Sequence, residues 1–577
     1  MDDDIRERVE RRAEIDALYN AVKHDSEAQV GAILGPLMSE NPEFRQYGDE
    51  IAGAVGPVVG RVNEMSSDER RTRLEELAPE RVTELEAEEE TDETTLPDLP
   101  DADPGDVRMR VAPNPNGPWH IGHARMAAVV GRYAERYDGS FICRFDDTDP
   151  ETKRPDLDAY DAILDAIGYL GFEPDDVVVA SDRLETYYEH GRRLIDAGGA
   201  YTCSCPGAAF SEQKNAGEAC PHRGKNTEQV HEEFGRMIEG GYDAGEMVLR
   251  VRTDIEHPNP ALRDWVAFRM VDTPHPRPVA AGYRCWPMLD FQSGVDDHLT
   301  GVTHIIRGID LQDSAKRQAF VYDYFGWEYP EVVHWGHVEV DAYDVPMSTS
   351  SIQEQIETGE LDGWDDPRAP TVASLRRRGI RGEALVAAMS ELGMSTTNVD
   401  LAMSSVYAEN RERIDADADR AFLVRDTASN GDGAVERPVE GGPDTGTPPV
   451  HPEFEGRGRR EIPATGGVLV ESEDLPPAGE RVWLKGLGCV RHTGGVFEHA
   501  DEPLSVTRNE GVDIVHWVPA DDNVPVRLRT PEGDVSGYAE PGVDTCEPDD
   551  LLQFERVGFA RVDSPGTDPV VAYFAHR

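Results

Sequence analysis

Two histidines three residues apart, His120 and His123, stand in "APNPNGPWHIGHARM" (112–126). The loop before them is rich in Pro, Asn and Gly, and the residues after it read as a helix. His120 falls at the presumed helix start and His123 one turn on, so both point the same way. A helix N-terminus offers unpaired N–H groups and a positive dipole end, which suit phosphate. Gly122 has no side chain, so a flat base can lie against the backbone there. On these residues alone, a phosphate site and a pair of core histidines fit equally well. A zinc pair fits less well, because no third ligand is near in sequence. A second group is more specific. Cys203, Cys205, Cys220 and His222 form C-x-C-x14-C-x-H, a tetrahedral thiolate and imidazole set for zinc. The competing reading is an insert that has lost its metal. Cys143, Cys285, Cys489 and Cys546 read as ordinary buried thiols.

Positioning these residues requires a strand–loop–helix. "VRMRVA" predicts a short strand, "IGHARMAAVVGRYAERY" a helix and "GSFICRFDDTD" a second strand. That succession predicts a parallel, doubly wound α/β sheet, Rossmann-like in class. Residues 1–83 read helical, with Ile5, Val9, Ile15, Leu18, Tyr19 and Val22 near helical spacing. An acidic, Pro-containing linker covers 85–106. The stretch 371–425 reads helical again. From about 445, short alternating strands between Gly, Pro and Asp turns predict antiparallel β-barrels. Expected boundaries are a helical appendage with its linker at 1–95 and a catalytic domain at 96–345. An insert at about 195–285 interrupts the catalytic domain. A loop and helical connector follow at 346–430, then a β-barrel region at 431–577.

Composition narrows the class. The 577 residues exceed one core and suggest three to five domains. With 57 Lys and Arg against 113 Asp and Glu, the formal charge is −56. The six lysines are Lys23, Lys153, Lys214, Lys225, Lys316 and Lys485. Acid spread over every segment, with almost no lysine, reads as a cytoplasmic protein of a salt-loving organism rather than an acidic interaction tail. No bulk basic excess marks a nucleic-acid binder, so any such partner must be argued from local patches. No run approaches the ~18 apolar residues of a membrane helix. "MDDDIRERVERR" does not read as a signal peptide. Seven cysteines, an odd number, argue for reduced thiols.

"RVAPNPNGPWHIGHAR" resembles the HIGH signature of class I aminoacyl-tRNA synthetases, in the form carried by the glutamyl/glutaminyl group. "CRFDDTDPETKRP" (143–155) and "WPMLDFQSGVDDHLTGVTHIIRGIDL" (286–311) resemble further blocks of that group. "MSTS" (347–350) resembles the KMSKS loop in its archaeal form. "VYAENRERIDADADRAFLV" (406–424) and the β-rich end resemble the archaeal and eukaryotic glutamyl type and the glutaminyl enzyme. The resemblance covers about 107–577. It implies ATP and Mg²⁺ as cofactors, L-glutamate and tRNA(Glu) as substrates, and a monomer with no membrane contact. It implies that Pro113, Asn114, Gly117, His120, Gly122, His123, Met347 and Ser348 meet ATP. His120, His123, Ser348, Thr349 and Ser350 would stabilise the transferring phosphate by hydrogen bonds and charge. Arg307 is carried over as the arginine for the substrate γ-carboxylate, a bidentate match that an amide cannot make. Arg110 is expected at the same carboxylate, Asp146 at the substrate ammonium, and Leu289 and Ser293 in the pocket wall. Leu289 departs from the group's tyrosine, and Trp286 is a candidate substitute. The loop also departs: Pro346 and Thr349 occupy the two lysine positions. The missing cation is then expected from Mg²⁺, from concentrated K⁺ or from an arginine elsewhere.

Two arginine clusters remain for tRNA phosphates: Arg376, Arg377 and Arg378, and Arg457, Arg459 and Arg460. Helix solvation and salt bridging compete with that reading. The zinc set is implied in some members only, as a structural ion shaping the insert that grips the acceptor end. Rival readings are a glutaminyl enzyme, which Arg307 opposes, and a non-catalytic tRNA-binding paralogue. The resemblance also raises misacylation of tRNA(Gln).

Overall fold

The structure, a computed structural model, describes residues 3–23, 28, 30, 31, 33, 48–63, 65–79, 81, 82, 96–340, 342, 343, 345–426 and 433–577. Residues 85–95 of the expected linker at 85–106 lie outside the described residues. The chain divides into two compact units, one of Met1–Thr95 with Pro449–Arg459 and one of Leu96–Pro448 with Arg460–Arg577. In the first, helices Asp3–Lys23, Gly48–Asn63 and Ser67–Leu77 bury Val9, Leu18, Val55 and Leu74. Ser66 and Glu69 close a capping box on the third helix.

In the second unit, strand β1 (Arg108–Val111) pairs parallel with β2 (Ser140–Phe145), and β2 with β3 (Asp176–Val179). The antiparallel insert β4 (Ala200–Cys203), β5 (Val248–Val251), β6 (Val266–Met270) and β7 (Cys285–Pro287) follows. The chain then returns as β8 (His304–Gly308), parallel to β9 (Glu331–Trp335). Thr303 donates its backbone N–H to Arg108 O at 2.9 Å, which lays β8 beside β1. Helix Ile121–Arg136 packs its small residues Ala124, Ala127 and Ala128 into the core shared with β1 and β2. At Gly131 a Cβ would stand 2.3 Å from the Phe172 ring, so only glycine admits that approach.

Short strands follow from 445 as alternation predicted, but the sheets begin earlier, and Asp419–Ala421 and Leu423–Arg425 correct the end of the stretch expected to be helical. "VPVRLRT" forms Val524–Thr530, with Val526, Leu528 and Thr530 buried on one face. The expectation of purely antiparallel barrels is corrected. A seven-stranded sheet begins at Asp419–Ala421 and ends at Leu423–Arg425, two segments separated in the chain only by Phe422. That adjacency nearly closes it into a barrel. It is mixed, because Asp419–Ala421 runs parallel to Leu551–Phe554, and Val524–Thr530 to Val570–His576. A five-stranded sheet of residues 439–515 is mixed for the same reason: its edge strands pair parallel. No helix among the described residues is long and apolar enough to cross a membrane.

Candidate functional site

His120 caps the helix Ile121–Arg136, and its N–H-rich end is fixed from outside. Ile121 N–H donates to Pro370 O, and Val372 N–H to Trp119 O. The imidazoles of His120 and His123 stack with centroids 3.7 Å apart. Both Nδ1 atoms are buried with no hydrogen-bond partner among the described residues. Burial lowers the His120 pKa to about 4 and holds His123 well below the usual histidine range, with His120 adding to the effect. Both rings are therefore neutral at pH 7 and can offer a ligand hydrogen bonds but not charge.

The 347–350 loop touches this site. A Cβ on Gly117 would stand 2.5 Å from Thr349 Cγ2, and one on Gly122 would stand 3.1 Å from Met347 Cε. Ser348 precedes the helix Thr349–Glu357, and its Oγ lies 3.0 Å from Ser350 Oγ. Pro113 and Asn114 tie the histidine loop to the strand beside it. Asp146 N–H donates to Pro113 O, and Asn114 Nδ2 to Asp146 O.

Arg110, Asp146, Ser293 and Arg307 converge from β1, the end of β2, the helix Leu289–Leu299 and β8. All four are nearly buried. They gather around Asp297, a residue the sequence reading passed over although it lies in the quoted block. Arg110 Nε stands 3.1 Å and Arg144 Nη1 2.5 Å from Asp297 Oδ1. Arg144 also pairs with Asp146 at 2.7 Å. Burial works against ionising Asp297, yet Arg110, Arg144 and Arg307 hold its pKa at about 2. Arg307 is itself pulled down by burial and by Arg110. Its Nη1 donates to Gln318 Oε1, and Gln318 Nε2 to Ser293 Oγ. Three guanidinium groups thus face two carboxylates, an arrangement suited to one more anion. Arg144, Asp297 and Gln318 were missed because a single sequence does not show which helices a distant strand will meet.

Some expected residues fall elsewhere. Leu289 opens its helix and is 42% exposed. Trp286 is fully buried beside His275, so it cannot substitute as a pocket wall. Arg378 is corrected from tRNA contact to an internal clamp. It is buried, and it donates to Phe574 O, Ala575 O and the Tyr343 and Tyr407 hydroxyls. Arg460 is corrected likewise, being held by Glu540 at 2.7 Å and Glu555 at 3.0 Å. Arg376 and Arg377 pair with Asp165 and Asp365 and stay partly exposed. Arg457 and Arg459 belong to the first unit and Arg460 to the second.

In the insert, Cys203, Cys205, Cys220 and His222 bring one ligand atom each within 4.8 Å of one another. Cys205 Sγ lies 3.3 Å from His222 Nδ1, and Cys203 Sγ 3.8 Å from Cys220 Sγ. Three sulfurs and one imidazole nitrogen at these spacings fit zinc. Cys143, Cys285 and Cys489 are buried, and Cys546 is only half-buried.

The second unit thus carries a neutral histidine pair at a helix start, a facing Ser/Thr loop and a buried arginine cluster beside parallel strands. Residues 106–416 match the family "tRNA synthetases class I (E and Q), catalytic domain". Residues 418–507 and 514–563 match its two anti-codon binding domains. The chain belongs to the class I tRNA synthetases of the E and Q group. Within it, membership narrows to the glutamate–tRNA ligase family. The chain is 70% identical to the "Glutamate--tRNA ligase" of Haloarcula marismortui, over 100% of both chains. Identity is 68% to that of Natronomonas pharaonis, again over 100% of both. It is 43% to that of Methanosarcina acetivorans, over 97% of this chain and 98% of the relative.

Proposed function

We propose that this protein ligates L-glutamate to the 3′ end of tRNA(Glu), and charges tRNA(Gln) as well, as a cytoplasmic monomer in a salt-loving archaeon. The observation that carries the substrate is the excess guanidinium around Asp297, with Arg307 the member that has capacity left for a γ-carboxylate. Glutamine would leave that cation unpaired in a buried site, which costs far more than a lost hydrogen bond. The five parallel strands are read as one doubly wound sheet, with the substrates at its carboxyl edge. The domain boundaries given above are proposed to separate catalysis, acceptor binding, connector and anticodon binding.

In the first step a glutamate α-carboxylate oxygen attacks the α-phosphorus of ATP. The bond to the bridging oxygen breaks, and pyrophosphate leaves with that electron pair. In the second, the 2′-OH of the terminal adenosine attacks the mixed anhydride and AMP leaves. This chain's residues position and stabilise charge. The orphaned Nδ1 atoms of His120 and His123 are read as phosphate ligands, with Ser348, Thr349 and Ser350 closing from the other side. Mg²⁺ bound with ATP would neutralise phosphate charge. Zinc on the four insert ligands would hold that insert in shape.

Charging purified tRNA(Glu) and tRNA(Gln) with labelled glutamate in concentrated KCl tests this. Glutamate on both tRNAs is expected. Glutamate on neither removes the catalytic reading in favour of a tRNA-binding paralogue. Glutamine charged in its place moves the chain to the glutaminyl class.

A further inference from the structure

The loop that faces the histidines carries no cation: residues 345–352 read Val-Pro-Met-Ser-Thr-Ser-Ser-Ile. A chain of formal charge −56 repels a polyphosphate unless a local positive charge receives it. Apart from Arg307, which the glutamate reading uses, and Arg154, which bonds the Pro150 and Pro274 carbonyls, the arginines around the cleft are held by carboxylates. Arg110 and Arg144 are held by Asp297. Arg269 pairs with Asp149, Arg277 with Asp182 and Arg368 with Asp366, at 2.6–2.8 Å.

Lys153 differs. Of the other lysines, Lys225 pairs with Glu233, Lys316 with Asp313 and Lys485 with Glu555, while Lys214 lies in the insert among Arg250, Arg263 and Arg317. Lys153 is exposed and makes no hydrogen bond or ion pair with any described residue. It is held on a fixed turn. Asp146 N–H donates to Pro113 O at 2.9 Å, and Asp156 N–H to Pro115 O at 2.8 Å. Both ends of the 146–156 segment are therefore pinned to the loop that leads into His120. Within it, Thr152 N–H bonds Asp149 Oδ1, and Arg154 bonds Pro274 O. The backbone is set while the ammonium, on a flexible four-carbon stem, stays available.

We propose that Lys153 is the phosphate-binding cation of the ATP site, standing in for the lysines that the 347–350 loop lacks. This rests on the reading of the His120–His123 site as the ATP site. Its charge already reaches His123, where it is one of the influences that keep the buried ring neutral. During adenylation, negative charge builds on the bridging oxygen as its bond to the α-phosphorus breaks. The Lys153 ammonium donates hydrogen bonds to the departing pyrophosphate and stays protonated throughout, so no proton changes hands.

Lys153→Ala, Lys153→Arg and the double change Lys153→Ala with Thr349→Lys test this in the full chain in concentrated KCl. The readouts are tRNA-dependent ATP–pyrophosphate exchange and equilibrium binding of labelled ATP with Mg²⁺. Lys153→Ala is expected to lower kcat/KM for ATP by roughly 10²-fold and to move KM for glutamate by less than about twofold. Lys153→Arg should stay within about tenfold of the parent, and the loop lysine should recover at least about tenfold of the loss. A loss below about threefold, an equal loss for glutamate and ATP, or no rescue by the loop lysine overturns the proposal. If the parent chain charges no tRNA with glutamate, the ligase reading fails instead. ATP binding still decides Lys153 then: a Lys153→Ala variant that holds ATP as tightly as the parent ends the proposal.

Discussion

Arg307 Nη2 and Asp297 Oδ2 face each other at 3.9 Å, too far for a hydrogen bond. Arg110 and Arg144 crowd the other oxygen of that carboxylate, leaving Oδ2 and Arg307 Nε without partners among the described residues. Arg307 is thus oriented by Gln318 and neutralised by nothing in full.

Arg307→Ala should therefore raise KM for glutamate by on the order of 10²-fold, the value of a buried charge-assisted pair. KM for ATP should change by less than about twofold. Steady-state charging with each substrate varied separately checks this. Equal losses on both substrates would mean that Arg307 holds the fold rather than the amino acid.

His120 gives a pH dependence with a defined sign. Its folded pKa is depressed to about 4, so the unfolded chain binds the proton more readily. Its contribution to stability is complete above the unfolded value near 6.5 and falls as pH drops from there to about 4. Between pH 7 and pH 5 the loss is about 2 kcal/mol. Denaturant unfolding of the parent and of His120→Gln should diverge in slope over that window. Parallel curves would show that the ring titrates normally.

Gly117→Ala should disturb the facing loop and strain its own backbone, which holds φ +156°. The new Cβ meets Thr349 Cγ2 at 2.5 Å and the Trp364 ring at 3.2 Å, so the loop must shift or Thr349 must rotate. A fall in kcat is expected together with a lowered Tm. Thr349→Ser removes the offending methyl and should restore part of the rate. Failure of that rescue would place the damage elsewhere.

Zinc removal should uncouple tRNA use from ATP use. Elemental analysis should find one zinc per chain, lost in Cys220→Ser. The variant should show a raised KM for tRNA with ATP binding kept, because the ligands lie in the insert and not beside His120. Full activity in zinc-free protein would reduce the four residues to a thiol cluster.

The amino-acid sequence by itself determined the parts whose signal is local. Period-two alternation gave Val524–Thr530, and the loop-to-helix switch at His120 gave the start of a helix. The C-x-C and C-x-H pairs announced a ligand set before any fold was known. Tertiary structure alone decided what depends on distant segments meeting. Only the packing of the helix Leu289–Leu299 near β2 reveals that Arg144 and Asp297 share a buried cluster, and only strand pairing that the barrel sheets are mixed. Arg378 reads as a surface arginine in "LRRRG" yet is sealed against residues 574 and 575. A charged residue's local pattern is the same whether it meets water or a carbonyl from the far end of the chain. Burial is set by which elements arrive opposite it, and that choice belongs to the whole fold.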